Sequence, residues 1–331
     1  MNKLSILAMT LVLMVCGCTS TNSTEKYQSS RDNVINVKDK IHEIDFGDVV
    51  LHNGSILYNL ENYLVAIDHK SYDDMIFVFD KNDYHLLRSI GHYGQGPFEY
   101  VSIGKAVDNH QGGMFVIDFG SYQMRSYNFD SLINYPDYSP YIKCFLNNSI
   151  IPNNFLYLND TFSISEFTIP TSVSTFYNAT GIWNIKTGDT KVFDYPNVIE
   201  NKKITFTVSE KDKIMAECNT RYDMVSLVDF DGNLKCNIFG PDWGTDGLYT
   251  FSDCLFTNDY LLALYNGDVW TDYTQPHLCQ VFNKNGNYVA TLDLGYSTFR
   301  LSYDEKINRL YFSFIDTIQF GYLDLDEIKF D

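Results

Sequence analysis

Short runs of apolar and aromatic residues recur along the chain, each closed by Asp or Asn and followed by a polar turn and a second run. They read IFVFD closing at Asp80, MRSYNFD at Asp130, GIWN at Asn184, SLVDFD at Asp231, CQVFN at Asn283 and QFGYLD at Asp324. Runs of this length, rich in β-branched and aromatic residues and bounded by turn formers, predict β-hairpins. The closing residues lie 41 to 54 positions apart, and a steady period of that size marks an array of one repeated supersecondary unit. Six hairpins at this spacing predict an all-β chain: a six-bladed β-propeller of four-stranded antiparallel blades.

Each hairpin supplies the two outer strands, C and D, of a blade. The preceding strand B is expected at residues 63–68, 114–119, 213–218, 260–265 and 309–314, where the sequence is almost continuously apolar. That is the pattern of a strand covered on both faces by neighbouring blades. Blade three is the least regular: residues 155–158 read as strand A or B, and 161–180 as a long B–C loop. Copy six ends the chain, so residues 34–37 or 41–46 are expected to supply a strand to the last blade and close the ring. Strands alternate in direction. The B–C loops and the links from one blade to the next therefore share one end of the ring, the end expected to carry function. Segments 91–100, 161–180 and 266–277 stand out there.

Length alone suggests two domains for 331 residues, but the repeat joins them into one body. The formal charge is −18, from 24 basic and 42 acidic residues, with acids spread along every blade. Such a surface repels a phosphate backbone, so nucleic acid is not an expected partner. Seven histidines (42, 52, 69, 85, 92, 110, 277) show no ligand spacing, and no catalytic or cofactor motif stands out. No cofactor, metal site or catalytic residue is expected from sequence.

At the N-terminus, Lys3 precedes an apolar stretch, residues 4–15, too short to span a bilayer. It ends in Val15-Cys16-Gly17-Cys18, which resembles a bacterial lipobox with Cys18 as the lipidated residue. The reading divides the chain into a signal peptide (1–17), a flexible Ser/Thr-rich tether (18–33) and the propeller (34–331). It predicts a cell-envelope protein held by its lipid, with the outer membrane the expected location. Beyond Cys16 and Cys18, Cys144, Cys218, Cys236, Cys254 and Cys279 remain, an odd number without a C-x-x-C. Three of them sit in apolar runs and read as small buried hydrophobes.

The sharpest local motif is Ser89 to Glu99, SIGHYGQGPFE. With Gly91, Gly94, Gly96, Pro97 and Glu99 it resembles the G-x-x-G-x-G-P-x-E link of the TolB-like six-bladed β-propeller lipoproteins of Bacteroidetes. The resemblance implies a lipid-anchored propeller and brings no catalytic set with it. A Gly-rich turn can cradle phosphate, but no Lys-Ser/Thr follows, so a P-loop is excluded. Two readings of the link stay open. Glu99 either accepts amides of its own tight turn or faces a ligand at the channel mouth. Trp270 and Tyr273 either form an aromatic platform for sugar or peptide or pack back on blade five.

These observations predict a monomeric, non-enzymatic binding or scaffold propeller whose partner is an envelope protein or a glycan. One alternative is a propeller hydrolase or lyase with a channel metal, which needs Asp, Asn, Glu or His from several blades on one ion. Another is a sugar-binding accessory protein of a polysaccharide-uptake system, which needs aromatic side chains on the functional end.

Overall fold

The computed structural model describes residues 24–269, 271 and 274–330. Three short strands open the described chain: β1 (Glu25–Tyr27), β2 (Val34–Asn36) and β3 (His42–Glu43). Blade one follows as β4 (Ile56–Leu60), β5 (Tyr63–Ile67), β6 (Ile76–Asp80) and β7 (Leu86–Ile90). Blade two is β8 (Ile103–Asp108), β9 (Gly113–Asp118), β10 (Gln123–Asn128) and β11 (Tyr141–Phe145). Blade three is β12 (Ile151–Asn159), β13 (Phe162–Pro170), β14 (Phe176–Trp183) and β15 (Thr190–Val192). Blade four is β16 (Ile204–Ser209), β17 (Ile214–Asn219), β18 (Met224–Asp229) and β19 (Leu234–Phe239). Blade five is β20 (Leu248–Phe256), β21 (Tyr260–Val269), β22 (Leu278–Asn283) and β23 (Tyr288–Asp293). Blade six takes β24 (Thr298–Asp304), β25 (Arg309–Phe314) and β26 (Phe320–Asp324) from the C-terminus and β3 from the N-terminus. The six small sheets form a ring, a six-bladed β-propeller.

The apolar B strands do what continuous runs predict. Leu64 to Ile67, Met114 to Ile117 and Leu261 to Leu264 are buried on both sheet faces. The core is accordingly divided into clusters that each lie between two neighbouring blades. Val65, Ile76, Met114 and Val116 fill the wedge between blades one and two. Leu262, Val281, Leu310 and Phe312 fill that between blades five and six. Each blade thus buries its B strand against the neighbour on either side.

The N-terminal segment runs along the outside of three blades. β1 pairs parallel with β19, β2 pairs parallel with β23, and β3 pairs antiparallel with β26. Of the two segments expected to close the ring, 41–46 closes blade six, while 34–36 extends blade five. Part of the expected tether is also structured. Glu25–Tyr27 are strand, and the Arg31 guanidinium is buried between blades four and five, 2.7 Å from Asp223 Oδ1 and donating to Gln280 Oε1 at 2.6 Å. A buried, paired Arg in an otherwise Ser/Thr-rich stretch is what composition hides.

Three further readings change. Residues 161–180 are not a loop: they contain β13 and the start of β14, joined by residues 171–175. Ser163, Ser165 and Glu166 interrupt the apolar pattern of β13 yet are buried. Copy two turns not directly but through a one-and-a-half-turn helix, α1 (Phe129–Asn134), whose N-cap Asn128 accepts the Ser131 amide at 2.9 Å and whose Phe129 and Leu132 are buried. Copy six is half a hairpin, since Leu325–Glu327 form a 3-10 turn and the fourth strand comes from β3. Among the described residues the five cysteines are free, and all but the half-buried Cys144 are buried.

An acid at the end of strand B ties the start of strand A in three blades. Asp68 accepts the His52 amide at 2.8 Å, Asp118 that of Ser102 at 2.9 Å and Asp316 that of Ser297 at 2.9 Å. The junction between blades six and one predicts one stability result. Ile44 is buried against Leu57, Phe79 and Phe320, whereas Val50 in the same segment is exposed. Ile44→Ala is expected to lower unfolding free energy by about 2–4 kcal/mol, and Val50→Ala by less than about 0.5 kcal/mol, read by thermal or urea unfolding.

Candidate functional site in the central channel

The six A strands wall a central channel. Within it lies a cavity of about 320 Å³ that takes a residue from every blade: Tyr58, Lys105, Asn154, Thr207, Asp253 and Arg300. A second cavity, about 410 Å³, continues it to the end of the ring that carries the A–B turns, between Glu61, His110, Lys211 and Lys306.

The channel's charges are unevenly satisfied. Arg300 Nη1 is 3.6 Å from Asp253 Oδ1 and donates to the Ser252 and Phe299 carbonyls at 3.3 and 3.4 Å. The other Asp253 oxygen accepts the Leu301 amide at 2.8 Å. Burial pulls the Arg300 pKa down, but Asp253, Tyr58 and neighbouring groups outweigh it and hold the pKa above the ordinary value. Lys105 forms no ion pair among the described residues, and burial together with the Arg300 charge pushes its pKa down. Behind the wall, Glu166 accepts from Asn178 Nδ2 at 2.8 Å and Asn153 Nδ2 at 3.3 Å, and burial pushes its pKa up. The Tyr58 hydroxyl, Asn59 Oδ1, Ser252 Oγ and Arg300 Nε are buried without a hydrogen-bond partner.

A neighbouring network is complete by contrast. Between blades three and four, Lys202 Nζ contacts Glu217 Oε2 at 2.5 Å and donates to the Tyr195 hydroxyl at 2.6 Å and Asn197 Oδ1 at 3.0 Å. Thr180 and Tyr195 donate to the second Glu217 oxygen at 2.6 and 2.5 Å. A buried pair with every oxygen engaged fixes the link that follows blade three.

The motif singled out in the sequence folds on itself. Glu99 Oε2 accepts the Gly96 amide at 2.6 Å, and a methyl group at Gly94 or Gly96 would collide with the same carboxylate. Gly91 has φ +83° and lies against the Tyr100 ring, so both its conformation and its space favour glycine. Pro97 precedes Phe98, which is half-exposed at φ +69°. The Glu99 carbonyl accepts from buried Arg125 at 2.7 Å, whose guanidinium stacks over Tyr100. Glu99 is thus engaged in its own turn and does not line the channel cavity. The link joins β7 to β8, and the blade-five loop joins β21 to β22, so both stand at the end where A strands begin. β21 reaches Val269, so residues 266–269 of the expected 266–277 loop are strand. Trp270, Tyr273 and Cys18 lie outside the described residues. Tyr72 and Tyr93, exposed and 5.3 Å apart between ring centres, stand beside the link.

The channel residues escaped sequence reasoning. Their one signal was a polar residue inside an apolar run: Lys105 in IGKAVD, Asp253 in LYTFSDCLF, Arg300 in TFRLSYD and Glu166 in FSISEFTIP. The donor set does not fit a divalent metal. Among the described residues no three His, Cys, Asp or Glu side chains stand close enough to hold one, and the lining acids Asp108 and Asp253 share the cavity with Lys105 and Arg300.

No protein-family model and no curated protein matches the sequence. Solved structures do. A Bacteroides fragilis protein classed by inference as exported superposes with a TM-score of 0.56 at 13% identity, over 91% of this chain and 98% of that one. A member of the DUF4221 family from Bacteroides vulgatus gives 0.53 at 12%, over 86% and 95%. Streptogramin B lyase gives 0.55 at 9%, over 87% and 98%. At such identities the likeness shows the propeller fold alone.

Two predictions follow from the channel and the link. The raised Glu166 pKa means that the folded protein holds this proton more tightly than the unfolded chain. Stability from this group is therefore lost as pH rises from the ordinary carboxylate range through the raised value. Glu166→Gln should flatten that part of the curve and leave neutral-pH stability equal or higher, read by melting temperature against pH. Glu99→Ala frees the Gly96 amide and is expected to cost about 1–2 kcal/mol by urea unfolding.

Proposed function

We propose that this protein is a lipid-anchored propeller of the cell envelope, held at the outer membrane through Cys18, that binds its ligand without transforming it. The observation that carries the binding reading is the channel lining. Lys105 and Arg300 stand in it among Asp108, Asp253, Asn59, Asn154 and His110, and among the described residues no three His, Cys, Asp or Glu side chains cluster as a metal-dependent propeller enzyme needs. Burial also raises the pKa of Cys279 and Cys254, and that of Cys144 to about 12, which supports a non-nucleophilic role for these three.

The envelope reading rests on the apolar stretch 4–15 and the Val15-Cys16-Gly17-Cys18 sequence, with the exported Bacteroides neighbour in support. The SIGHYGQGPFE link supports membership of the TolB-like lipoproteins. A monomer is proposed, with an envelope protein or a glycan as partner at the end carrying the blade links. Exposed Tyr72 and Tyr93 supply aromatic faces there. A lyase reading is the second choice, favoured by the shared fold of streptogramin B lyase.

Cys18→Ser is expected to abolish labelling by a palmitate analogue and to release the protein from the membrane fraction. Retention of label and membrane association would overturn the anchor. In intact cells, Trp270→Ala with Tyr273→Ala should reduce cross-linking to envelope partners at unchanged melting temperature. Unchanged cross-linking would move the binding surface elsewhere.

A further inference from the structure

We infer that the central channel is an oxyanion site, in which Lys105, Arg300 and the Tyr58 hydroxyl, from three blades, grip a carboxylate or phosphoryl group on a small hydroxylated molecule. The inference rests on the binding reading above and gives it a ligand class.

The chain's more deeply buried cations have close acceptors. Lys202 has three partners within 3.0 Å. Arg31 has Asp223 and Gln280 within 2.7 Å. Lys81 has Asp304 at 2.6 Å. In each case the cost of burying charge is met by direct hydrogen bonds. The channel departs from this rule. Lys105 has no ion-pair partner among the described residues, and Arg300, its side chain 32% exposed, leaves Nε without an acceptor, as Arg31 leaves one Nη. The acid nearest Arg300 stands at 3.6 Å, beyond hydrogen-bond distance.

The acids supply only part of what is missing: Asp253 Oδ1 stands 3.6 Å from Arg300, and Asp108, the other acid of the cavity lining, faces His110. Asp253 accepts a backbone amide, and Glu166 accepts from two asparagines. Two like charges facing one cavity repel each other, and an anion between them removes the repulsion and satisfies both donors. The Tyr58 hydroxyl adds a third donor. Asn59 Oδ1, buried without a donor, asks for a hydroxyl on the ligand. The cavity of about 320 Å³ is of the size that takes a small molecule rather than a chain.

Calorimetry and thermal shift on the full-length protein test this, with glucuronate, inorganic phosphate and glucose as probes and sodium chloride matching ionic strength. Glucuronate or phosphate is expected to bind saturably, and glucose is not. Lys105→Met and Arg300→Met should each weaken binding at least about tenfold, whereas Lys105→Arg stays within about threefold. Tighter binding of glucuronate assigns the carboxylate as the source, and tighter binding of phosphate the phosphoryl group. Binding of both oxyanions no better than glucose, or unchanged binding in the folded Met variants, would overturn the site. If Arg300→Met fails to fold, the two Lys105 variants decide. Chemical conversion of bound glucuronate, followed by NMR, would uphold the oxyanion site and overturn the non-catalytic reading. Loss of the oxyanion site with partner cross-linking intact would leave that reading standing.

Discussion

The pairing of β3 with β26 is the contact on which the ring depends. A circular array of sheets made from a linear chain has one seam, and here the seam falls inside blade six. His42 and Glu43 lie opposite Tyr322 and Gly321, and the Ile44 amide continues the ladder onto the Phe320 carbonyl at 3.0 Å. The inner strands of the same junction are stitched by side chains: Ser313 and Ser302 accept the Leu57 and Asn59 amides at 2.9 and 2.8 Å. Without the seam, blades one and six each lose one of the two wedges that bury their B strands. Closure therefore makes local hairpins, marginal alone, into one cooperative body.

Closure also creates the channel. Strands that are sheet edges in each blade become the wall of a shared space, and their side chains meet across it. Between blades, Arg31 and Lys202 each have an acid within 2.7 Å, whereas in the channel Lys105 has no ion-pair partner among the described residues and the acid nearest Arg300 stands at 3.6 Å. That contrast lies inside a single molecule and needs no comparison with relatives. It also explains why the fold neighbours give little guidance. Streptogramin B lyase and the exported Bacteroides protein share the blade architecture, while chemistry lives in the few residues that a given chain turns into its channel.

The glycine-rich link illustrates the opposite case, a sharp motif with a local physical explanation. Gly94 and Gly96 leave room for the Glu99 carboxylate, which holds the Gly96 amide, and Arg125 reads the Glu99 carbonyl from below. Spacing of this kind preserves a turn as effectively as it would preserve a binding loop. The same economy appears in Asp68, Asp118 and Asp316, each of which pins the start of a strand with one carboxylate.

The hairpin period and five of the B strands were determined by the sequence itself, because a strand's apolar run and a turn's Asp or Asn are local properties. It left two segments, 34–37 and 41–46, to close the ring, and the structure chose the second. Where a buried strand carried polar residues, as β13 does with Ser163, Ser165 and Glu166, the same logic read it as a loop. Where a turn carried a good N-cap, as at Asn128, it missed α1. The tertiary structure alone decided the site. Tyr58, Lys105, Asp253 and Arg300 belong to four different repeats, and none bears a motif. Each looked like a single polar interruption in an apolar run until the ring set the four around one cavity. Charge complementarity across a channel is a property of through-space distance, which only closure of the chain on itself creates.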